Sequence, residues 1–165
     1  MKLIVFMCVC VVFCPIVLRA QAGDTPATLR QVAADYYNWR NENYPVNSSD
    51  AGLHSWDSRL TDYSPAAIAS RREHIASLLA RVNRMRTDKW KKDDRIDWLL
   101  FRAQLEGPVF FDRVMDFEHR DPQTYVNECS NAIFSIIKKD YDSPKNRTLS
   151  ATARLRAMPA LMEQG

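Results

Sequence analysis

The sequence predicts an all-α protein, and three observations support this fold class. Several segments begin with a polar residue followed by proline and continue with apolar residues at helical spacing. The 165 residues include only four glycines, fewer than the many turns of a β-rich or α/β protein would need. No segment shows the alternation of apolar and polar residues that marks a half-buried strand. We therefore expect an antiparallel bundle of at least four helices.

Two helices are predicted in the first half of the chain, over residues 26–43 and 65–86. Thr25 and Ser64 are suited to cap them, and the proline after each cap fits the first helical position, where no N–H is needed. Residues 46–63 between them show no sustained period, so we expect an irregular connection held by apolar anchors. The anchors are Leu53, Trp56, Leu60 and Tyr63.

Further helices are predicted over residues 94–116 and 122–139, and a last helical region opens at Ser143-Pro144. Gly107-Pro108 falls inside the first of these, where proline removes a backbone hydrogen bond, so we expect a kink or a break. Pro159 is expected to interrupt the last region. The apolar stripe of the 94–116 helix comprises Ile96, Leu99, Leu100, Ala103, Phe110, Phe111 and Val114.

The stripes together predict which side chains form the core of the bundle. The predicted core contains Trp39, Ile75, Leu79, Leu99, Leu100 and Ile133. Truncation of Leu100 to alanine should then cost about 2–5 kcal/mol, as is usual for a core leucine. Cys129 lies on the stripe of its helix and is interpreted as a small buried apolar residue rather than a reactive thiol.

The first 22 residues have the pattern of a signal peptide. Lys2 is followed by an apolar run over 3–18, and Ala20-Gln21-Ala22 supplies the small residues that signal peptidase recognises. An uncleaved membrane anchor is the alternative, although the run is short for a span of about 20 residues. We expect a mature chain of residues 23–165 that is exported to the periplasm or secreted, with no membrane partner after cleavage.

Cleavage changes the charge and the cysteine content of the mature chain. Loss of Lys2 and Arg19 leaves 21 basic against 20 acidic residues, and such near-neutrality argues against a nucleic-acid partner. The basic pairs Arg71-Arg72 and Lys91-Lys92 are interpreted as solvated helix faces. One cysteine, Cys129, remains, so no internal disulfide is expected.

The residues themselves predict no catalytic, cofactor-binding or metal site in this chain. His54, His74 and His119 lie far apart, whereas a gluzincin needs two histidines one helical turn apart with a glutamate beside the first. No phosphate loop or nucleophile elbow is present. Paired carboxylates could in principle come from charged helices, where salt bridges are the simpler interpretation. These candidates are Asp35, Asp97, Glu106 and Asp116.

The order of several motifs resembles the N-terminal part of the bacterial domain-of-unknown-function family 885. The motifs are ADYYNW (34–39), GLHSWDSRLTDYSP (52–65), DRID (94–97), RAQLE (102–106), RDP (120–122) with Tyr125, and RLRAMPAL (154–161). The resemblance covers nearly all of the mature chain and rests on the order and spacing of the motifs together.

The resemblance implies an exported zincin-like metallopeptidase whose members are several times longer than this chain. In that family the zinc-binding helix, with its histidine–glutamate motif, lies far downstream, so no metal ligand or catalytic residue can be carried over to these 165 residues. Zinc and a peptide substrate are expected for the full-length protein alone. The chain stops at Gly165 inside a helix expected to continue, so we expect a truncated product, an incomplete sequence or an N-terminal piece.

Three functional hypotheses therefore remain. The chain is the helical N-terminal portion of an exported metallopeptidase, flanking or covering its substrate cleft; or it is a self-standing helical interaction module without catalysis; or it is a non-functional remnant. The last helices are expected to leave apolar side chains unburied at Met158, Leu161 and Met162, which would favour self-association.

Overall fold

A computed structural model describes residues 24–165, so the predicted signal peptide lies outside the described residues. This part of the chain is helical and contains no strand, which confirms the all-α prediction. The helices are α1 (Pro26–Asn43), α2 (Pro45–Asp50), α3 (Pro65–Asn83), α4 (Lys92–Val114), α5 (Phe117–Arg120), α6 (Gln123–Ile137) and α7 (Pro144–Met162).

Three long helices begin at the caps that the sequence predicts. The hydroxyls of Thr25, Ser64 and Ser143 each accept a hydrogen bond from the backbone N–H three residues ahead, at 3.1–3.3 Å. Each therefore satisfies one of the free N–H groups of the first turn. Asp121-Pro122 also predicts a capped start, with Asp121 as the cap, but this prediction is wrong: Pro122 itself is the capping residue of α6 and makes no side-chain cap, and Asp121 ends α5.

Neither internal proline ends its helix. α4 continues through Pro108 to Val114, which excludes a break there and leaves the kink as a prediction, and α7 continues through Pro159 to Met162, so the predicted interruption is wrong. A proline removes one backbone hydrogen bond, whereas packing holds the rest of each helix. Leu105 before Pro108 is fully buried, and Leu161 after Pro159 is 4% exposed.

The predicted irregular connection is shorter than expected, because α2 occupies its first residues. Pro45 ends the preceding helix and also takes the first position of the next one. Gly52 then turns the chain with a φ of +87°, which a side chain would disfavour. Of the predicted anchors, Tyr63 is buried and Trp56 and Leu60 are half-buried, but Leu53 is 43% exposed, so its prediction as an anchor is wrong.

Helices α1, α3 and α4 form the larger of the two apolar cores within residues 24–165. Trp98 of α4 donates its indole N–H to the Val82 carbonyl at the end of α3, while Arg72 near the start of α3 meets Asp116 just after the end of α4. These contacts show that α3 and α4 run antiparallel. The buried residues are Leu29, Val32, Tyr36, Ile75, Val82, Met85, Phe101 and Leu105.

The predicted core is right for α3 and wrong for α4. Ile75 is 3% exposed and Leu79 packs against the core, as Trp39 does, and Ile133 is half-buried. Leu99 and Leu100, however, are 51% and 65% exposed. α4 is apolar on two sides, and the side opposite Leu99 and Leu100 packs inward. The inward side carries Trp98, Phe101, Leu105 and Val109.

A second, smaller core joins the 51–64 segment to α3, α6 and α7. Tyr63, Ile68, Tyr125 and Leu161 are its buried members, and Cys129 packs against it half-buried. The prediction that Leu161 would be unburied is therefore wrong, whereas Met162 is 47% exposed as expected. No helix within residues 24–165 is long and apolar enough to cross a membrane.

Candidate functional site

A cleft of about 430 Å³ opens where α2, the 51–64 segment, the end of α4, α5 and the start of α6 meet. Aromatic rings and two carboxylates dominate its lining. The lining residues are Tyr44, Asn47, Tyr63, Phe111, Asp112, Phe117, Glu118 and Thr124. The cleft combines apolar walls with a few polar groups, which is the usual composition of a ligand site.

Three carboxylates surround Arg72 on the acidic side of the cleft. Its Nη2 lies 2.6 Å from Asp116 Oδ1 and 2.8 Å from Glu118 Oε2, both close ion pairs. Asp112 Oδ1 lies 3.8 Å from Arg72 Nε, too far for a hydrogen bond. One guanidinium therefore has two well-paired carboxylates and a third that it pairs poorly.

Asp112 and Asp116 differ in their electrostatics as a result. Burial, and then the negative charge of Glu118, raise the pKa of the Asp112 carboxyl. Hydrogen bonds from His119 and then from Arg72 lower the pKa of Asp116. Asp112 is the acidic group that faces the cleft with spare capacity to accept hydrogen bonds.

Arg71 lies behind two of the aromatic walls. Its guanidinium carbon is 5.4 Å from the centroid of the Tyr44 ring and 5.6 Å from that of Tyr63, and one Nη donates to the Asp62 carbonyl at 2.5 Å. The side chain is 4% exposed, so the interpretation of Arg71 as a solvated residue is wrong. Burial raises the pKa of both tyrosines above the ordinary value of 10.0, at which a tyrosine hydroxyl is already protonated at neutral pH.

This arrangement is suited to binding a positively charged group. Aromatic faces attract cations through their quadrupole, and a carboxylate beside them adds an ion pair in a partly desolvated site. Within residues 24–165, no three or more His, Cys, Asp or Glu side chains cluster closely enough to hold a metal ion.

The three histidines are placed separately, as the sequence predicts. His54 binds Asp57 through Nδ1 at 3.0 Å and stacks on Tyr141, with ring centroids 3.4 Å apart. His74 stacks on Trp39 at 4.2 Å, and His119 binds Asp116 at 2.8 Å. The structure brings none of them into the cleft lining.

Two of the four acidic candidates form the salt bridges that the sequence interpretation predicts. Glu106 pairs with Arg102 at 2.8 Å along the same helix, and Asp116 pairs with Arg72. Asp35 accepts a hydrogen bond from Gln31, and Asp97 is exposed. Sequence reasoning missed Asp112 and Glu118, whose proximity depends on the turn between α4 and α5.

That turn is formed by an unusual backbone conformation. Asp116 adopts a left-handed conformation with a φ of 47°, and its carbonyl accepts hydrogen bonds from the N–H groups of His119 and Arg120. Aspartate and asparagine adopt this conformation more readily than most residues. The turn places the carboxylate of Glu118 against the guanidinium of Arg72 and beside Asp112.

A second polar cluster is centred on Arg154 of α7, whose side chain is fully buried. Its guanidinium donates five hydrogen bonds of 2.7–3.3 Å. The acceptors are the carbonyls of Pro45, Arg59 and Ala132 and the hydroxyls of Ser49 and Ser135. Ser49 in turn donates to the buried carboxylate of Asp57 at 2.5 Å. The cluster joins α2, the 51–64 segment, α6 and α7.

The comparison with protein families settles the relationship of this chain. The family described as "Bacterial protein of unknown function (DUF885)" matches residues 45–165. The chain belongs to this family. No curated protein matches the chain, and no solved structure does. The DUF885 match starts at the first residue of α2 and includes every residue of the cleft lining except Tyr44, together with the whole Arg154 cluster.

Proposed function

We propose that this chain is the helical N-terminal part of an exported zinc metallopeptidase-like protein, in which its cleft flanks the bound peptide. The proposal is supported by membership of the DUF885 family, and the zincin-like character is what the resemblance of the motifs to that family implies. The observation that carries it is the cleft itself, where Asp112 lies between aromatic walls with a poorly paired carboxylate.

A peptide offers the chemistry that this cleft would bind. Its α-amino group or a lysine or arginine side chain is positively charged, and the adjoining methylenes can pack on rings such as Phe111 and Phe117. Neutral tyrosine hydroxyls can hydrogen-bond to the peptide backbone. The cleft would then position a peptide, while the chemistry takes place elsewhere.

We propose that the zinc and the general base come from polypeptide outside these residues. Catalytic zinc needs three protein ligands and an open position for water. Each histidine here already has another role, whether against Asp57, Trp39 or Asp116. Zinc is thus a cofactor of the larger protein and not of this chain, which is inactive alone.

The coding sequence beyond codon 165 tests this proposal directly. A continuing reading frame that encodes a helix with a histidine–glutamate motif is expected. A stop codon at this position in an intact gene, or a continuation without such a motif, would contradict the metallopeptidase proposal and leave the non-functional remnant or the interaction module.

An alternative is a self-standing helical module that binds peptides without catalysis. It is favoured by the fact that the cleft is formed entirely by residues between Tyr44 and Thr124. Residues 23–165 would then bind a lysine-containing peptide with full affinity, and Asp112→Asn would weaken binding, with no dependence on downstream sequence. Under the metallopeptidase proposal, full affinity requires the longer protein.

Export is part of the proposal and can be tested separately. The signal pattern ending at Ala22 predicts a mature N-terminus at Gly23 after expression in a bacterial host. N-terminal sequencing of the periplasmic fraction should find Gly23 first. Retention of Met1 in a cytoplasmic product would contradict export.

A further inference from the structure

The loop between α3 and α4, together with the helix ends that flank it, is strongly basic. Residues 81–95 contain seven basic and three acidic residues, and all seven basic side chains are exposed. None of the seven forms an ion pair within residues 24–165. We call residues 81–95 the basic tip. Its basic residues are Arg81, Arg84, Arg86, Lys89, Lys91, Lys92 and Arg95.

The basic tip concentrates the positive charge of the predicted mature chain. Its seven basic and three acidic residues give it a net charge of +4. The mature chain has 21 basic and 20 acidic residues, so the remainder has 14 against 17 and a net charge of −3. The near-neutral total thus conceals a separation of charge along the molecule, and such an asymmetry favours a negatively charged partner at the basic end.

Helix stabilisation explains only part of this charge. Arg81 and Arg84 lie at the C-terminal end of α3, where the helix dipole favours cations. Lys91, Lys92 and Arg95 lie at the N-terminal end of α4, where the dipole disfavours them. These three residues therefore weaken the start of α4, and an external partner of negative charge would offset that effect.

The chain enters the described fold at the basic tip. The Asp24 backbone carbonyl accepts a hydrogen bond from the Trp90 indole N–H at 3.2 Å, and the Asp24 carboxylate accepts one from the Arg86 backbone N–H at 3.2 Å. The apolar run of residues 3–18 ends six residues before Asp24, and six residues span at most about 20 Å. A membrane that holds this run, before cleavage or as an uncleaved anchor, therefore holds the basic tip close to its surface.

We propose that the basic tip docks the protein on an anionic lipid bilayer, through contacts with the headgroups and without insertion of a helix. Clusters of about four to eight basic residues are typical of such surfaces. The cleft is at the other end of α4, since Lys92 and Asp112 are 20 residues apart and a helix rises about 30 Å over that length. Docking leaves the cleft open to solution. The inference goes beyond the proposed function and replaces the expectation that the cleaved chain has no membrane partner.

Sedimentation of residues 23–165 with lipid vesicles tests the docking. Vesicles that contain phosphatidylglycerol should bind the protein at about 0.1 M salt, whereas vesicles of phosphatidylcholine alone should not. Binding should be lost as the salt approaches about 1 M, because the screening length falls from about 10 Å to about 3 Å. No binding to the anionic vesicles at low salt would overturn the proposal.

Charge reversal in the basic tip tests which residues form the surface. Lys89→Glu, Lys91→Glu and Lys92→Glu, combined in one variant, should weaken binding to the anionic vesicles at least about a hundredfold, because each basic residue near such a surface contributes about fivefold. This variant should stay folded, since acidic residues suit the N-terminal end of α4. Circular dichroism checks the fold. Unchanged binding by the folded variant would contradict docking at the basic tip.

A second triple variant is the matched control for net charge. It makes the same three charge reversals at exposed positions outside the basic tip and should weaken binding less than about tenfold. The substitutions are Lys139→Glu, Lys145→Glu and Arg156→Glu. Equal weakening by the two variants would show that total charge, and not the basic tip, attracts the protein to the vesicles, which would refute the proposal.

An acidic protein is the other partner that the basic tip could attract, and polyglutamate serves as its probe. Under the membrane proposal, the anionic vesicles should bind residues 23–165 more tightly than polyglutamate does at the same salt concentration. Polyglutamate binding that depends on Lys89, Lys91 and Lys92, together with no binding to the vesicles, would overturn the membrane proposal in favour of an acidic protein partner.

Discussion

At the scale of single residues, two electrostatic features matter: the buried Arg154 guanidinium and the carboxylates beside the cleft. Arg154 is fully buried, and its charge is balanced through Ser49 by the buried Asp57. Burial lowers the pKa of the Arg154 guanidinium, which nonetheless remains charged because arginine pKa values are so high. Removing one partner from such a cluster leaves buried polar groups unsatisfied.

Arg154→Met should therefore lower the free energy of unfolding by about 3–5 kcal/mol. Arg154→Lys should also destabilise, because an ammonium has three donors and cannot replace five directed hydrogen bonds. Arg156→Met is the matched control on the same helix, where the side chain is exposed and the change should stay within about 0.5 kcal/mol. Urea unfolding followed by circular dichroism measures all three. Equal effects of the two methionine variants would contradict the role of Arg154.

Asp112 and Asp116 should respond to neutralisation with opposite signs. The raised pKa of Asp112 means that its ionised form destabilises the fold, so stability falls as the pH rises from 3.8 through the raised value. The lowered pKa of Asp116 means that its ionised form stabilises the fold, and this contribution is lost as the pH falls below 3.8 through the lowered value.

Asp112→Asn should accordingly raise the melting temperature at neutral pH, and Asp116→Asn should lower it. Asparagine tolerates the left-handed conformation at position 116, so backbone strain does not confuse the comparison. Both differences should shrink when the melts are repeated well below pH 3.8, where the carboxyls are protonated. A destabilising Asp112→Asn at neutral pH would show that Asp112 is a structural rather than a ligand-binding carboxylate.

At the level of the helices, α4 is the element that the sequence describes least well. Its two apolar sides have the same helical period, so periodicity predicts a helix without showing which side packs inward. The inward side is selected by α1 and α3, through contacts such as Tyr36 with Phe101 and Val82 with Trp98. That choice depends on tertiary packing.

Leu105→Ala and Leu100→Ala distinguish the two sides of α4. Leu105 is fully buried, so its truncation should cost about 2–5 kcal/mol. Leu100 is 65% exposed, so its truncation should change monomer stability by less than about 0.5 kcal/mol. Urea unfolding followed by circular dichroism gives both values. A larger cost at Leu100 than at Leu105 would reverse the orientation of α4.

Local signals predicted most of the helices. The three serine or threonine caps followed by proline mark true helix starts, and α1 has the predicted bounds. The short helices α2 and α5 were missed because six and four residues are too few to show a period. Arg71 and Arg154 were missed for another reason: a buried arginine is recognised by its acceptors, and these come from distant parts of the chain.

At the scale of the molecule, residues 24–165 contain one apolar core of α1, α3 and α4 and a second that joins the 51–64 segment, α3, α6 and α7. Helix types and starts are local properties, so the all-α fold could be predicted from the sequence. The cleft could not, because Tyr44, Asp112 and Glu118 come from three separate helical ends. Its proposed role in a DUF885 metallopeptidase depends on a zinc site supplied from outside these residues.

Zinc stoichiometry tests that central proposal most directly. Purified residues 23–165 should be dialysed against zinc, freed of excess metal and measured by atomic emission, together with an assay for chelator-sensitive peptide hydrolysis. Three separated histidines, each engaged with Asp57, Trp39 or Asp116, should leave far less than one zinc per chain and no hydrolysis. One tightly held zinc per chain, or hydrolysis abolished by a chelator, would contradict the account.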